Sequence, residues 1–489
     1  MTNPIRRDVH AKRIGPTLTP DSSRVLLRPF QPTSSAISRR IVERIMALRE
    51  NQVATLLDQV LGDFADRHEN LEKFFQQRYQ QVDFHIDSGK KTSAKRQLLI
   101  GAHFSHEYST ESAALFNPSI VPHPDQTKLP AGALRFILSL RATGEGHISS
   151  VTFRTGIITA QHRVTLTPSV QLVSEPERIP NASYEKALFI HKLEEAGVMD
   201  ENCSVTLARL PEIFNLRELG DALNLYQQTN TSPDKTSEHT ARSILLLAES
   251  NYEVNFAPNT HTSQRVLFPS SPSESNGIED ARFVRFQNED ESFTYYATYT
   301  AYDGKVTLPQ LLETPDFLQF KFSTLNGPAV QNKGMALFPR KIDGRFAMLS
   351  RQDDENLLLM YSDNVRFWQT PKLLLTPTYP WEFFKIGNCG SPIETKAGWL
   401  VLSHGVGAMR KYCIGAFLLD LKNPGKVLGR LRSPLLEPNE SEREGYVPNV
   451  VYTCGALLHE GHVIIPYAIS DSSTSFASIP LHNLLNAME

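Results

Sequence analysis

Downstream of Arg265 the chain is a succession of short apolar runs separated by two-residue turn signals, a texture that few folds accept. Phe293–Tyr299, Phe346–Leu349, Trp399–Leu402, Gly415–Leu419 and His462–Pro466 are strand-length stretches rich in β-branched, aromatic and leucine residues. Asp303-Gly304, Asp343-Gly344 and Glu460-Gly461 stand between such runs, where the second residue of a tight hairpin needs glycine's freedom at positive φ. Strands with turns every ~10 residues imply a sandwich, a barrel or a propeller. No exact repeat of about 40 residues chooses among these. Leu134–Leu140 and Ser150–Ile157 carry the same texture upstream.

Helical segments interrupt the strands. After an extended, proline-punctuated lead-in to residue 36, Ile37, Ile41, Ile45 and Leu48 form the stripe of an amphipathic helix. Val53, Leu56, Leu57, Val60, Leu61 and Phe64 form a second, and Leu71, Phe74, Phe75 and Tyr79 a third. Such an arm packs on its own domain or on a partner subunit, so a homo-oligomer through these helices is an open expectation. Further helices are predicted over Tyr184–Gly197, Leu207–Gln228 and Ser237–Ser250, with the polar Thr229–Thr236 as a loop. The organisation read from this is a lead-in and helical arm over 1–95 and a β domain over 96–489, with a helical insertion at about 180–255.

Charge and composition remove several classes. Lys plus Arg number 50 and Asp plus Glu 53 among 489 residues, so the basic excess of a nucleic-acid binder is missing. No apolar run nears the ~18 residues of a membrane helix. Met1–Pro20 is polar and basic without the apolar segment of a secretory signal. Cys203, Cys389, Cys413 and Cys454 lack metal or disulfide spacing. The expectation is a soluble cytoplasmic protein. There is no phosphate-binding G-x-x-x-x-G-K-[ST] loop, no G-x-G-x-x-G, no H-E-x-x-H and no G-x-S-x-G.

The most suggestive element is Gly277-Ile278-Glu279-Asp280-Ala281-Arg282, two adjacent carboxylates and an arginine between a turn and an apolar strand. On a regular strand Asp280 and Arg282 share one face and Glu279 the other. The cation lowers the acid's pKa, whereas a proton donor needs its pKa raised. A solvated turn with a structural Asp–Arg pair is therefore the plain alternative. Lys333, Arg351, Lys385, His404 and Tyr412 stand at strand ends in three further stretches. Singly, each reads as a surface charge or a structural histidine; together they could bind a phosphate through charge-assisted hydrogen bonds. Tyr295, Tyr296, Tyr299 and Tyr302, then Trp381, Phe383 and Phe384, read as core packing or as platforms for sugar rings. Asp353-Asp354 and Glu440–Glu444 read as exposed loops.

The ordered set of motifs resembles glycoside hydrolase family 130, the inverting β-mannoside phosphorylases and related β-mannosidases. Gly277–Arg282 resembles G-[IV]-E-D-P-R, with Ala281 in place of Pro, and Tyr296–Ala301 resembles Y-[ML]-T-Y-T-A. Phe338–Arg345 resembles F-P-E-K-I-[ND]-G-K. Lys385-Ile386-Gly387, Gly398-Trp399-Leu400 and Ser403-His404-Gly405-Val406 resemble K-I-G…G-W-L…Y-H-G-V, with Ser403 in place of Tyr. Glu444–Val451 resembles E-x-G-x-V-P-N-V-V. Phe116-Asn117-Pro118 and Arg141 with Ser149-Ser150 match earlier elements, over a span of about 100–175 and 265–489.

The resemblance implies a mainly β chain, a five-bladed β-propeller carrying the arm and the insertion. It implies Asp280 as proton donor and Arg351, Lys385, His404 and Tyr412, with Lys333 nearby, as phosphate ligands. Asn117, Arg141, Arg282 and Asp471 are implied sugar contacts. The expected reaction is reversible phosphorolysis of a β-mannoside with inversion, giving α-mannose 1-phosphate, with inorganic phosphate as co-substrate and no metal or organic cofactor. An inverting hydrolase would need a carboxylate base as well as an acid, whereas phosphate is already a nucleophile. A β-mannosidase and a non-catalytic mannoside-binding protein remain the alternatives.

Overall fold

The computed structural model describes residues 9–82, 92–180, 183–229 and 235–489. The first eight residues of the lead-in and residues 230–234 of the loop expected at Thr229–Thr236 lie outside that set. Among the described residues no helix is long and apolar enough to cross a membrane.

The chain is mainly β. Ala114–Pro122, Leu134–Thr143 and Ser149–Ile158 form one antiparallel meander. Gly277–Gln287, Phe293–Tyr302, Thr307–Thr314 and Gln319–Thr324 form a second. A single parallel pair, Gly277 beside Ser149, joins the two into one eleven-stranded sheet. A third unit is built on Phe346–Ser350 and Leu357–Ser362, and a fourth on Gly398–Val406 and Tyr412–Leu419. The fifth is built on His462–Ile469 and Ser473–Pro480. The hairpins turn where expected: Asp343-Gly344 and Glu460-Gly461 both have two consecutive positive φ values, the twist that matches antiparallel strands.

These units pack in succession through buried apolar side chains. Phe153 of the first meets Phe283 of the second, and Phe286 of the second shares a cluster with Met348 of the third. Leu349 clusters with Trp399, and Leu402 with Ile465. Phe476 of the fifth returns to Phe136 and Leu138 of the first. The N-terminal stretch takes part in this succession. Lys12–Leu18 is a strand paired with Ser473–Pro480, so the segment read as a lead-in completes the last sheet. Just beyond it, fully buried Arg24 pairs with Glu111, which also takes Arg154 at 2.7 Å.

The three stripes of the arm are helices α1 (Ser35–Met46), α2 (Glu50–Phe64) and α3 (Leu71–Val82). A fourth, α4 (Ala94–His103), occupies residues read as the start of the β texture. Its Leu99 and Ile100 bury against Val42, Ile45, Val53 and Val82, so much of the arm's apolar face is covered within the chain. The insertion holds α5 (Lys186–Glu195), α6 (Glu201–Ala208), α7 (Leu216–Thr229) and α8 (Lys235–Glu249). The single helix expected over Leu207–Gln228 is broken by Pro211, which cannot continue a helical ladder, and Ile213–Asn215 pairs instead with Ser183–Glu185.

Candidate active site

Two β-bulges bring the acidic side of the site together. The ladder of Gly277–Gln287 slips between Glu279 and Arg282, and Asp280 takes φ 53° there. The strand Ala114–Pro122 slips between Phe116 and Ser119, and Asn117 takes φ 47°. Asn and Asp tolerate this left-handed conformation better than other side chains, yet each such residue costs about 1–3 kcal/mol and persists only where its surroundings fix it. Regular alternation would have put Glu279 and Asp280 on opposite faces. The bulge instead turns both toward Arg141, which donates to Glu279 at 2.7 Å and approaches Asp280 at 3.5 Å.

Asp280 is 6% exposed and accepts a 2.6 Å hydrogen bond from Asn117 Nδ2. Burial alone would raise its pKa; Arg141, Lys333, Arg282 and the Asn117 hydrogen bond outweigh that and hold it well below the usual carboxylate range. Asp471, on the turn before Ser473–Pro480 and at φ 51°, behaves oppositely. Burial, and then the charge of Asp280, push it up to about 6. Asp280 is thus the ionised carboxylate and Asp471 the one that holds a proton into the weakly acidic range.

Arg282, an implied sugar contact, is 2% exposed and engaged internally. Its guanidinium donates to the carbonyls of Cys389 and Asp280 and to the hydroxyl of Tyr452. It fixes the backbone of the bulge that carries Asp280.

The cationic side lies next to it. Buried Arg351 donates through Nε to the Lys333 carbonyl at 3.0 Å, and its Nη1 lies 3.1 Å from His404 Nε2. Gly334, at φ 89°, lets the chain pass against this guanidinium; a Cβ there would stand 2.5 Å from Arg351 Nε. Lys333 extends its ammonium to 3.9 Å from Glu279, which links the two halves. His404 is fully buried, and burial, then Arg351, Arg282 and Lys385, depress its pKa far below the ordinary value. It is therefore neutral, and its Nε2 accepts from Arg351. The Tyr412 ring stacks on it at 6.0 Å. Lys385 turns to Asp354, with 3.1 Å to each carboxylate oxygen, and Arg351 lies 3.9 Å from the same group.

Nine of the ten residues singled out from sequence thus line two adjoining clusters, and Arg282 braces them from behind. Glu279 and Asp354 were not singled out. Glu279 was assigned by alternation to the opposite face, and Asp354 reads in sequence as half of a solvated acidic pair. The aromatics divide. Tyr295 and Tyr299 are core residues whose hydroxyls bond to the Pro122 carbonyl and to Glu274. Trp381 lies across Gly405 and Gly415, and Phe383 and Phe384 are exposed.

Residues 212–489, more than half of the chain, match the family model Glyco_hydro_130, described as beta-1,4-mannooligosaccharide phosphorylase. The chain belongs to glycoside hydrolase family 130. It is 31% identical to the 1,2-beta-oligomannan phosphorylase of Thermoanaerobacter sp. (strain X514) over 53% of this chain and 86% of that protein. It is 34% identical to the beta-1,2-mannobiose phosphorylase of the same organism, over 44% and 70%. It is 33% identical to the beta-1,4-mannooligosaccharide phosphorylase of Ruminococcus albus, over 36% and 56%. A solved beta-1,2-mannobiose phosphorylase from Listeria innocua superposes with a TM-score of 0.46 at 19% identity, over 78% of this chain and 93% of that one.

Proposed function

We propose that this chain is a β-mannoside phosphorylase that transfers a mannosyl unit to inorganic phosphate with inversion, releasing α-mannose 1-phosphate and a shortened acceptor. The observation that carries the reading is the pairing of one buried carboxylate, Asp280, with a neighbouring cationic cluster of Arg351, Lys385 and Lys333. Phosphate needs no base to become a nucleophile, so an acid and an anion site suffice. Kinship with proteins named as mannoside phosphorylases supports the same reading. The five units packed in cyclic succession support a five-bladed propeller, with the site where their inner strands meet.

In this mechanism Asn117, Arg141 and Asp471 hold the sugar against Asp280. Arg351, Lys385 and Tyr412 hold phosphate in line with the anomeric carbon, supplying orientation and electrostatic stabilisation. Neutral His404 fixes the Arg351 guanidinium. Asp280 is ionised before phosphate binds, yet it must deliver a proton to the departing oxygen. A phosphate dianion in the cradle opposes the field of Arg141, Lys333 and Arg282 and raises the proton affinity of Asp280, which takes a proton from solvent and passes it to the departing oxygen as phosphate displaces it at the anomeric carbon. The reading requires no metal or organic cofactor.

The test is to incubate β-1,2-, β-1,3- and β-1,4-linked mannosides with and without inorganic phosphate. Mannose 1-phosphate formed only with phosphate supports the reading. Free mannose at the same rate in both arms replaces it with hydrolysis, and binding without either product replaces it with a non-catalytic role.

A further inference from the structure

Asp354 places a carboxylate inside a cluster that otherwise suits an anion. Both of its oxygens lie 3.1 Å from Lys385 Nζ, and one is 3.9 Å from Arg351 Nη1. The lysine side chain is mostly buried, at 12% exposure, whereas the aspartate is half exposed, at 52%. Asp354 sits on a turn at φ 57°, its backbone N–H donating to the Arg351 carbonyl, between the strands Phe346–Ser350 and Leu357–Ser362. The exposed partner of this ion pair is thus the surface carboxylate, and the buried partners are the cations beneath it.

We infer that Asp354 is a resident counter-anion of the phosphate cradle, which incoming phosphate must displace from Lys385 and Arg351, and that this residue sets the affinity for inorganic phosphate. The inference rests on the phosphorylase reading and deepens it. Two anions compete for the same two cations. A dianion that hydrogen-bonds both gains more than one exposed carboxylate does, so phosphate wins at sufficient concentration. Without Asp354 the cradle would bind phosphate, and other small oxyanions in parallel, more tightly. The carboxylate therefore lowers the affinity of the cradle for small oxyanions and keeps Lys385 placed when none is bound.

The experiment compares the full-length chain with Asp354→Asn, a substitution that suits the left-handed turn and removes only the charge. Binding of inorganic phosphate is measured by calorimetry, and the KM for phosphate is measured with a saturating mannoside. The expected result is a roughly three- to tenfold tighter Kd and lower KM for phosphate, equivalent to about 0.7–1.4 kcal/mol, with the mannoside KM unchanged. Sulfate, as inhibitor, should gain in parallel. Unchanged or weaker phosphate binding in Asp354→Asn overturns the inference and makes the aspartate a support for Lys385. The calorimetry is independent of turnover. If neither protein turns over mannosides with phosphate, the phosphorylase reading fails by itself, while tighter binding in the variant still identifies the counter-anion.

Discussion

Replacing Asp280 by Asn removes the proton that the mechanism delivers, together with the negative charge beside Arg141, Lys333 and Arg282. The amide has nearly the same volume, tolerates φ 53°, and stays beside Asn117 and Arg141. Arg141 keeps its 2.7 Å bond to Glu279, so it is not left without a partner. The loss should therefore fall on the chemical step. A positioned general acid contributes about 10²–10⁴ in rate, or about 2.7–5.4 kcal/mol of activation energy. For a natural disaccharide, whose leaving alkoxide is strongly basic, kcat should fall by about that factor while KM for the mannoside moves little. An aryl β-mannoside with a nitrophenol leaving group needs far less proton assistance, and its loss should be at least tenfold smaller. The assay is initial sugar phosphate formation from both substrates, with circular dichroism to confirm an intact fold. Retention of kcat on the disaccharide within about threefold, or equal losses on both substrates, would refute the acid role.

Three further outcomes are expected. Arg351→Lys keeps the charge but leaves the Lys333 carbonyl and His404 Nε2 without their donor; the phosphate KM should rise about tenfold or more, read from phosphate saturation curves, with the mannoside KM little changed. Asp471, with its pKa near 6, binds a proton more tightly folded than unfolded, so its contribution to stability is complete below about pH 4 and lost as pH rises through about 6. Thermal melts of Asp471→Asn from pH 4 to 8 should therefore gain on the parent across that window, and a constant difference would contradict the assignment. Glu111→Gln removes the shared partner of two buried arginines, Arg24 and Arg154, and should cost about 3–5 kcal/mol in chemical denaturation, since uncompensated buried charge is expensive.

What was legible in the sequence follows from which physical signals are local. Strand texture and glycine turns depend on neighbours only, and Asp343-Gly344 and Glu460-Gly461 turn as expected. The 3.6-residue stripes of the arm gave its first three helices. The fourth, Ala94–His103, was missed because its sequence carries no long apolar stripe, and it is held by Val42, Ile45 and Val53 from other helices. The pairing of Lys12–Leu18 with the C-terminal sheet spans almost the whole chain and leaves no local trace. Within the site, alternation failed at Glu279 because a bulge depends on the partner strand's register as much as on the bulged residues. Asp354 escaped notice for a related reason. Its neighbour Asp353 is the ordinary turn residue, accepting backbone N–H groups from Glu355 and Asn356, and only the fold shows that the adjacent carboxylate reaches Lys385.

The most direct measurement follows a β-mannobiose with inorganic phosphate by time-resolved phosphorus and proton magnetic resonance. A sugar phosphate resonance should appear with the first turnover, with α configuration at the anomeric carbon, and be abolished when phosphate is withheld. A β-configured product would contradict the single-acid, direct-displacement arrangement around Asp280. Free mannose accumulating equally without phosphate would contradict the role given to the Arg351–Lys385 cradle.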